Sequence, residues 1–139
     1  MTIRELMIGN WVNDKHGMPV RVVNVQESLI QVHSSSSYKS DHHVSNFSGI
    51  DLTPEILEKA GFEKRIDSKF RLPLKKDKYT CYLWLELIDD RVYLLTADDG
   101  HDYHLVDDIQ HLHRLQNVYF ALTGEELQVD LMTQSSWSQ

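Results

Sequence analysis

The stretch YTCYLWLELIDDRVYLLTA, residues 79–97, decides the fold class of this chain. Its odd-numbered positions from 79 to 87 carry Tyr, Cys and Leu, and its even-numbered positions carry Thr, Tyr, Trp and Glu. In an extended strand these two sets face opposite sides of a sheet. The dipeptide Asp89-Asp90 is typical of a tight turn and leads into a second β-rich run at residues 91–97. The stretch therefore predicts two antiparallel strands joined by a hairpin.

Further strands are expected on both sides of this hairpin, so that the region forms an antiparallel β-meander. Asp99-Gly100 is a strong hairpin signal and predicts a third strand over residues 101–106. A preceding strand over residues 70–74 is expected at a sheet edge, because Pro73 lacks the backbone N–H that a central strand donates. Four antiparallel strands are thus expected in the middle of the chain.

The first third of the chain is also rich in β-branched residues. Runs at residues 11–12, 20–25 and 29–33 resemble the start of an SH3-like small barrel. The middle run does not alternate cleanly, which indicates a bulge or burial on both faces. The polar segment that follows, residues 34–48, is longer than most connections, and we expect it to be a mobile surface loop.

Two helices have clear start and stop signals. Thr53 can cap the first and Pro54 suits its first position, while Gly61 and Phe62 fit a Schellman ending that contacts Leu57. The second is predicted over residues 109–122, with Asp108 as its cap and Gly124 as its stop.

The second helix is expected to be the central element of the core. At 100° per residue its polar side chains share one arc, which consists of Gln110, His113, Arg114 and Asn117. The remaining arc is apolar and so wide that the helix should be packed on more than one side. His111 and Gln116 project into this apolar arc. We expect His111 to be a neutral imidazole that is hydrogen-bonded locally, and the buried Gln116 amide to bond to the backbone of an adjacent loop or strand rather than to a ligand. A final strand over residues 126–131 should turn Leu127, Val129 and Leu131 inward.

Together these patterns predict an α+β fold in which an SH3-like β lobe and a β-meander pack on two helices. We expect residues 1–50 to form the small β-rich lobe and residues 51–139 the α+β lobe, the two making one compact unit. The chain has 139 residues, which suffices for a core without metal or disulfide support.

Composition limits the compartment and the chemistry. The single cysteine, Cys81, cannot form an internal disulfide and has no basic sequence neighbour to activate it as a nucleophile. The sequence shows no signal peptide, no run of about 18 apolar residues and no glycine-rich phosphate loop. We therefore expect a cytoplasmic protein with no membrane span and no cofactor.

Charge is distributed unevenly around a net value of −7. Residues 59–78 contain eight basic and three acidic side chains, whereas residues 86–108 contain eight acidic side chains and one arginine. Neighbouring strands can neutralise each other across a sheet, which is the simpler interpretation. The alternative is nucleic-acid binding through the basic segment 59–78, which the net charge disfavours. Trp11 and Tyr38 could stack on bases if the first lobe forms a small barrel, but we expect Trp11 to be a core residue.

A dense group of imidazoles and carboxylates around residues 101–113 raises the possibility of a metal site. Its members are His101, Asp102, His104, Asp107, Asp108, His111 and His113. On a strand, Asp102 and His104 share one face and form the best candidate ligand pair. His111 and His113 would diverge by roughly 200° on the predicted helix, so the spacing argues against a metal centre.

Three segments resemble a family of short uncharacterised proteins from Bacteroides-type gut bacteria, their phages and their mobile elements. They are residues 8–12 (IGNWV), residues 52–62 (LTPEILEKAGF) and residues 113–127 (HRLQNVYFALTGEEL). Arg114 and Val118 depart mildly from the family pattern, in which Gln and Leu are expected. The resemblance implies a bacterial cytoplasm and a phage or mobile-element setting, and it implies no activity.

The function hypothesis that follows is a non-enzymatic binding or protein-interaction module. Its partner would be a protein that binds the acidic meander or the polar segment 34–48. The alternatives are a metal-dependent enzyme that uses Asp102 and His104, and nucleic-acid binding through residues 59–78. The oligomeric state is left open.

Overall fold

The computed structural model describes residues 3–33, 41–66, 68–76, 79–98, 102–129 and 131. It confirms the α+β prediction, with two five-stranded antiparallel sheets and one main helix. The chain divides into two compact units. Unit 1 comprises Met1–Asp51 and His111–Gln139, and unit 2 comprises Leu52–Gln110. The last helix thus groups with the first sheet, and the division into lobes 1–50 and 51–139 stays a prediction.

The sheet of unit 1 has the strand order β4-β3-β2-β1-β5. Its strands are β1 (Trp11–Asn13), β2 (Pro19–Gln26), β3 (Leu29–His33), β4 (Asp41–His43) and β5 (Ser48–Gly49). The pairing of β2 with β3 shifts register between Val22 and Asn24, which confirms the predicted bulge. One face buries an apolar cluster that includes Val12, Val22 and Ile30. The likeness to an SH3-like barrel stays a prediction.

The polar segment 34–48 is structured over its second half. Residues 41–49 form β4, a 3₁₀ helix (Val44–Asn46) and β5, and the side chains of Val44 and Phe47 are buried in the unit 1 core. The prediction of a mobile loop is therefore wrong for these residues, because two apolar side chains anchor them. Residues 34–40 lie outside the described part of the chain.

The sheet of unit 2 has the order β10-β9-β8-β7-β6. Its strands are β6 (Glu63–Lys64), β7 (Lys69–Lys76), β8 (Tyr79–Ile88), β9 (Arg91–Asp98) and β10 (Asp102–Asp108). Asp89 and Asp90 both have positive φ, 48° and 66°, as a type I′ hairpin turn requires. Pro73 lies where β7 pairs with β8 but beyond the two residues that β6 covers, so its missing N–H disturbs no described pairing. Asp99 and Gly100 lie outside the described residues.

Helix α1 (Pro54–Lys59) forms where its capping residues predict it. The Thr53 hydroxyl accepts a hydrogen bond from the Ile56 N–H at 3.2 Å. At the other end Gly61 has a φ of 96°, and the Phe62 N–H donates to the Leu57 carbonyl at 3.0 Å. This is the long-range bond of a Schellman motif, so a six-residue helix is closed at both ends.

Helix α2 (Leu112–Thr123) begins three residues later than predicted. Asp108 does not cap it, because β10 continues through Asp108, whose carboxylate pairs with Arg91. His111 occupies the N-cap position in an extended conformation. Gly124 ends the helix with a φ of 75°, as predicted. Neither described α-helix is long enough to cross a membrane.

Burial of α2 is one-sided and concentrated in its first half. Leu112, His113, Leu115 and Gln116 are buried, whereas Phe120 and Leu122 are 42% and 43% exposed. The helix packs against β1. It is therefore not the fully enclosed central element that the apolar arc predicted.

Residues 125–129 join no sheet among the described residues, so the predicted final strand is wrong. Leu127 and Val129 are nevertheless buried as expected. The Trp11 indole N–H donates to the Val129 carbonyl at 2.8 Å. This bond and the two buried side chains hold the segment on unit 1 without ladder pairing.

We expect Thr53→Ala to lower the free energy of unfolding by about 1 kcal/mol, because it removes the α1 cap. Thr53→Ser keeps the capping oxygen and should restore most of the loss. Chemical denaturation followed by circular dichroism measures both variants, and equal stability of Ala and Ser variants would contradict the capping role.

Candidate functional site

The strongest metal candidates of the sequence lie in β10. Asp102 and His104 occupy alternate positions there, opposite Asp98 and Thr96 of β9. Their side chains, and His101 as a whole, lie outside the described part. Within the described residues no group of three or more potential ligands is placed to hold a metal ion.

His111 and His113 do not diverge as predicted but stack on each other. Their ring centroids are 5.7 Å apart and the ring planes differ by 12°. The reason is that α2 starts at Leu112, so His111 is extended and its ring turns toward His113. Imidazole lone pairs lie in the ring plane, and two nearly parallel rings at this distance do not aim them at one point. The pair is therefore unsuited to bind a single metal ion.

Each ring of this pair faces a carboxylate. The His111 Nε2 atom is 3.3 Å from Asp51 Oδ1, and the His113 Nε2–H donates to Glu5 Oε1 at 2.9 Å. The His113 side chain is 1% exposed, and its Nδ1 atom is buried with no hydrogen-bond partner. Burial lowers the pKa of His113, and the Glu5 carboxylate offsets this shift only in part. His113 is thus a buried neutral imidazole that ties the N-terminal segment to α2.

Gln116 makes the most consequential contact of α2. Its Oε1 accepts from the Trp11 backbone N–H at 2.8 Å, and its Nε2 donates to the Gly9 carbonyl at 3.0 Å. Both bonds are buried. The sequence predicted that a loop or strand backbone would satisfy this amide, and the structure confirms it. This one side chain thereby fixes residues 9–11, which lead into β1, against α2.

Two asparagines, Asn117 of α2 and Asn10 directly before β1, continue this network. The Asn117 Nδ2 donates to the Glu5 carbonyl at 2.7 Å, and its Oδ1 accepts from Asn10 Nδ2 at 2.9 Å. The Asn10 Oδ1 accepts in turn from the Met7 N–H at 2.7 Å. Residues 5–11 are therefore held by side-chain amides from a helix more than 100 residues away in sequence.

A groove of about 550 Å³ opens beside this network. We call it the α2 groove; it is lined by Leu6, Met7, Ile8, Gly9, Asn10, Val25, Gln116, Asn117, Phe120, Glu126 and Leu127. All these residues belong to unit 1. Its volume lies within the range of small-molecule and side-chain binding sites.

The surface of the α2 groove is mainly apolar. Ile8 is 65% exposed, Phe120 42% and Met7 38%, so three large apolar side chains stand at its rim. It has two buried polar residues, Asn10 and Gln116. Gln116 has both amide atoms bonded to backbone, and the Asn10 amide bonds to the Met7 N–H and to Asn117. The titratable side chain in the lining, Glu126, pairs with Arg21 at 3.1 Å. This arrangement suits contact with apolar groups and offers no nucleophile–base pair in the lining.

Sequence reasoning singled out Gln116 but missed Asn10, Glu5 and Met7 as members of the site. These residues carry no local motif, because their roles depend on α2. Residues 8–12 and 113–127 supply most of the groove lining.

Charge in unit 2 is partly neutralised across neighbouring strands, as predicted. Lys69 of β7 lies 3.8 Å from Glu86 of β8, and Arg71 pairs with Glu63 of β6 at 3.0 Å. The Arg71 guanidinium also lies 4.2 Å from the centroid of the Tyr82 ring. These contacts occupy two cations of the basic segment 59–78 within the fold.

The remaining candidates have simple outcomes. Trp11 is 2% exposed, which confirms it as a core residue. Cys81 lies in β8, but its side chain is outside the described part, as is all of Tyr38.

Nucleic-acid binding through residues 59–78 and a metal-dependent enzyme remain predictions. Comparison of the chain with protein-family models, curated proteins and solved structures found no match.

Replacing Gln116 should have a large effect on stability. Gln116→Leu leaves the Trp11 N–H unpaired in the interior and removes one of the two donors to the Gly9 carbonyl, which keeps its bond from Arg21 Nε. We expect a loss of about 1–3 kcal/mol in the free energy of unfolding. Gln116→Glu keeps the shape of the side chain. When its carboxyl group is ionised, one oxygen faces the Gly9 carbonyl oxygen and repels it. When the carboxyl group is protonated, it can donate a hydrogen bond to that carbonyl. The Glu variant should therefore be more stable, relative to wild type, at about pH 4 than at pH 7; a pH-independent difference would argue against this geometry.

His113 should make stability depend on pH. Its pKa is lower in the folded chain than the unfolded value of about 6.5, so the unfolded chain takes up the proton first. The contribution of His113 is therefore complete above about pH 6.5 and is lost as the pH falls. We expect His113→Gln to flatten the decline in unfolding free energy between about pH 7 and pH 5, and exposed His16→Gln to leave it unchanged. Denaturation series at several pH values measure the slope, which would be identical in all three proteins if His113 played no part.

Proposed function

We propose that this protein is a non-enzymatic binding module whose α2 groove receives an apolar segment of a partner protein. The observation that carries the proposal is the groove itself, a concave site of about 550 Å³ with Met7, Ile8 and Phe120 exposed at its rim. Large apolar side chains gathered around a concavity are characteristic of interaction sites. Their burial in a complex would supply the main driving force.

The bonding of the polar groups in the groove favours recognition over catalysis. Gln116, Asn10 and Asn117 use their amides to hold the N-terminal segment. A polar ligand would have to compete with these internal bonds. An apolar side chain can bury against Ile8 and Phe120 without breaking any of them.

The family resemblance supports the same site. Two of the three segments that carry it, residues 8–12 and 113–127, contribute to the lining of the groove, whereas the third lies in unit 2. We propose on this basis that the groove is the feature that members of the family share, and that the protein acts in a bacterial cytoplasm in a phage or mobile-element setting. The partner would be a protein of the host or of the same element.

The test is capture of partners by groove variants. Ile8→Gln and Phe120→Gln remove apolar surface at the rim without changing the charge, and each should weaken partner binding about tenfold or more. Met18→Gln is the matched control, since Met18 is 58% exposed and lies outside the groove lining. The tagged proteins are incubated with a lysate of Bacteroides-type bacteria, and retained proteins are quantified by mass spectrometry.

Specific partners should be retained by wild type and by Met18→Gln and be depleted with either groove variant. Circular dichroism and thermal unfolding establish that all four proteins are equally folded. The same retained proteins with all four would refute the groove as the binding site.

A further inference from the structure

We infer that the segment received by the α2 groove is cationic as well as apolar, an amphipathic peptide segment that carries Lys or Arg beside large apolar side chains. This inference rests on the proposed function and specifies the chemistry of the partner. It is carried by the charge at the end of the groove where α2 stops.

The C-terminus of α2 lies next to the groove and is electronegative. The last turn of the helix contains no basic residue, although a cation is the usual complement of the negative end of a helix dipole. Gly124 follows as the cap, and Glu125 and Glu126 come directly after it. Two carboxylates thus add to the partial negative charge of the helix carbonyls. Phe120 of the apolar rim lies within this last turn.

One of these carboxylates is fixed on the groove wall. A Cβ atom at Gly9 would lie 2.0 Å from Glu126 Oε1, so the carboxylate packs directly on the Gly9 backbone. Arg21 holds it there, with Nη2 at 3.1 Å from Glu126 Oε1 and Nε donating to the Gly9 carbonyl at 3.3 Å. The position of the negative charge beside the apolar lining is therefore determined by the fold.

The local charge is not balanced. Arg21 pairs with Glu126, while Glu125 is exposed and makes no ion pair with a described cation. One guanidinium thus faces two carboxylates and a helix C-terminus. The whole chain, at −7, adds attraction at long range for a cationic partner.

These features together define the occupant. The apolar lining accepts two or three large side chains from one face of a helix or extended segment. A Lys or Arg close to that face would reach the Glu125–Glu126 end of the groove. A segment with acidic flanks would meet like charges there and would be rejected.

The experiment uses three fluorescein-labelled peptides that share one leucine-rich helical face and carry Lys, Gln or Glu at the other positions. Fluorescence anisotropy with the full chain measures binding at about 50 mM and about 300 mM salt. The Lys peptide should bind most tightly and the Glu peptide least, and the difference should shrink at the higher salt concentration. Phe120→Gln should weaken binding of the Lys and Gln peptides alike.

Charge-reversal variants separate the local effect from the net charge. Glu125→Lys should weaken binding of the Lys peptide about fivefold and leave the affinity for the Gln peptide unchanged. Glu58→Lys changes the net charge equally at an exposed position of α1 in unit 2, and it should have little effect. A preference for the Lys peptide that both variants reduce equally would overturn the inference, because the net charge would then explain it.

The remaining outcomes distinguish the two proposals. Equal affinities for the three peptides, all reduced by Phe120→Gln, would overturn the cationic preference and leave the apolar groove as the binding site. Binding that Phe120→Gln does not reduce, or no binding of any peptide, would count against the proposed function itself.

Discussion

The side-chain amide of Gln116 is the interaction on which unit 1 depends. Residues 9–11 pair on one side with β2, through bonds between Gly9, Asn10 and Val22. On the other side β5 pairs only with Val12 and Asn13, and for residues 9–11 Gln116 supplies the acceptor and the donor that a strand would have supplied. Because these bonds are buried, leaving either backbone group unpaired would be costly. The amide therefore fixes the N-terminal segment on α2, and with it the wall of the groove.

Features of the fold that depend on neighbouring residues could be predicted from the sequence. The hairpin at Asp89-Asp90, the capping of α1 by Thr53 and the helix ending at Gly61 all form as expected. Each is determined within a few residues, because turn dihedrals and capping bonds are local. Alternation in residues 79–87 likewise sufficed to predict β8.

The candidate site could not be predicted to the same extent, because its bonds connect residues about 105 positions apart. A shift in the start of α2 shows how sensitive such geometry is. With His111 inside the helix the two imidazoles diverge, whereas with His111 extended before Leu112 they stack. Burial of His113 has a similar origin, since its partner Glu5 belongs to the other end of the chain. Helical periodicity alone predicts His113 on the polar arc of α2.

The outer strands of the two sheets bear on the binding mode proposed above. In unit 1 the outer strands of the described sheet are β4 and β5, of three and two residues. In unit 2 they are β6, of two residues, and β10, whose register is interrupted by a bulge at the 55% exposed Val106. Short or bulged edges offer few aligned backbone groups for an added strand. These outer strands therefore offer little for main-chain pairing, which agrees with the proposal that a partner binds in the α2 groove.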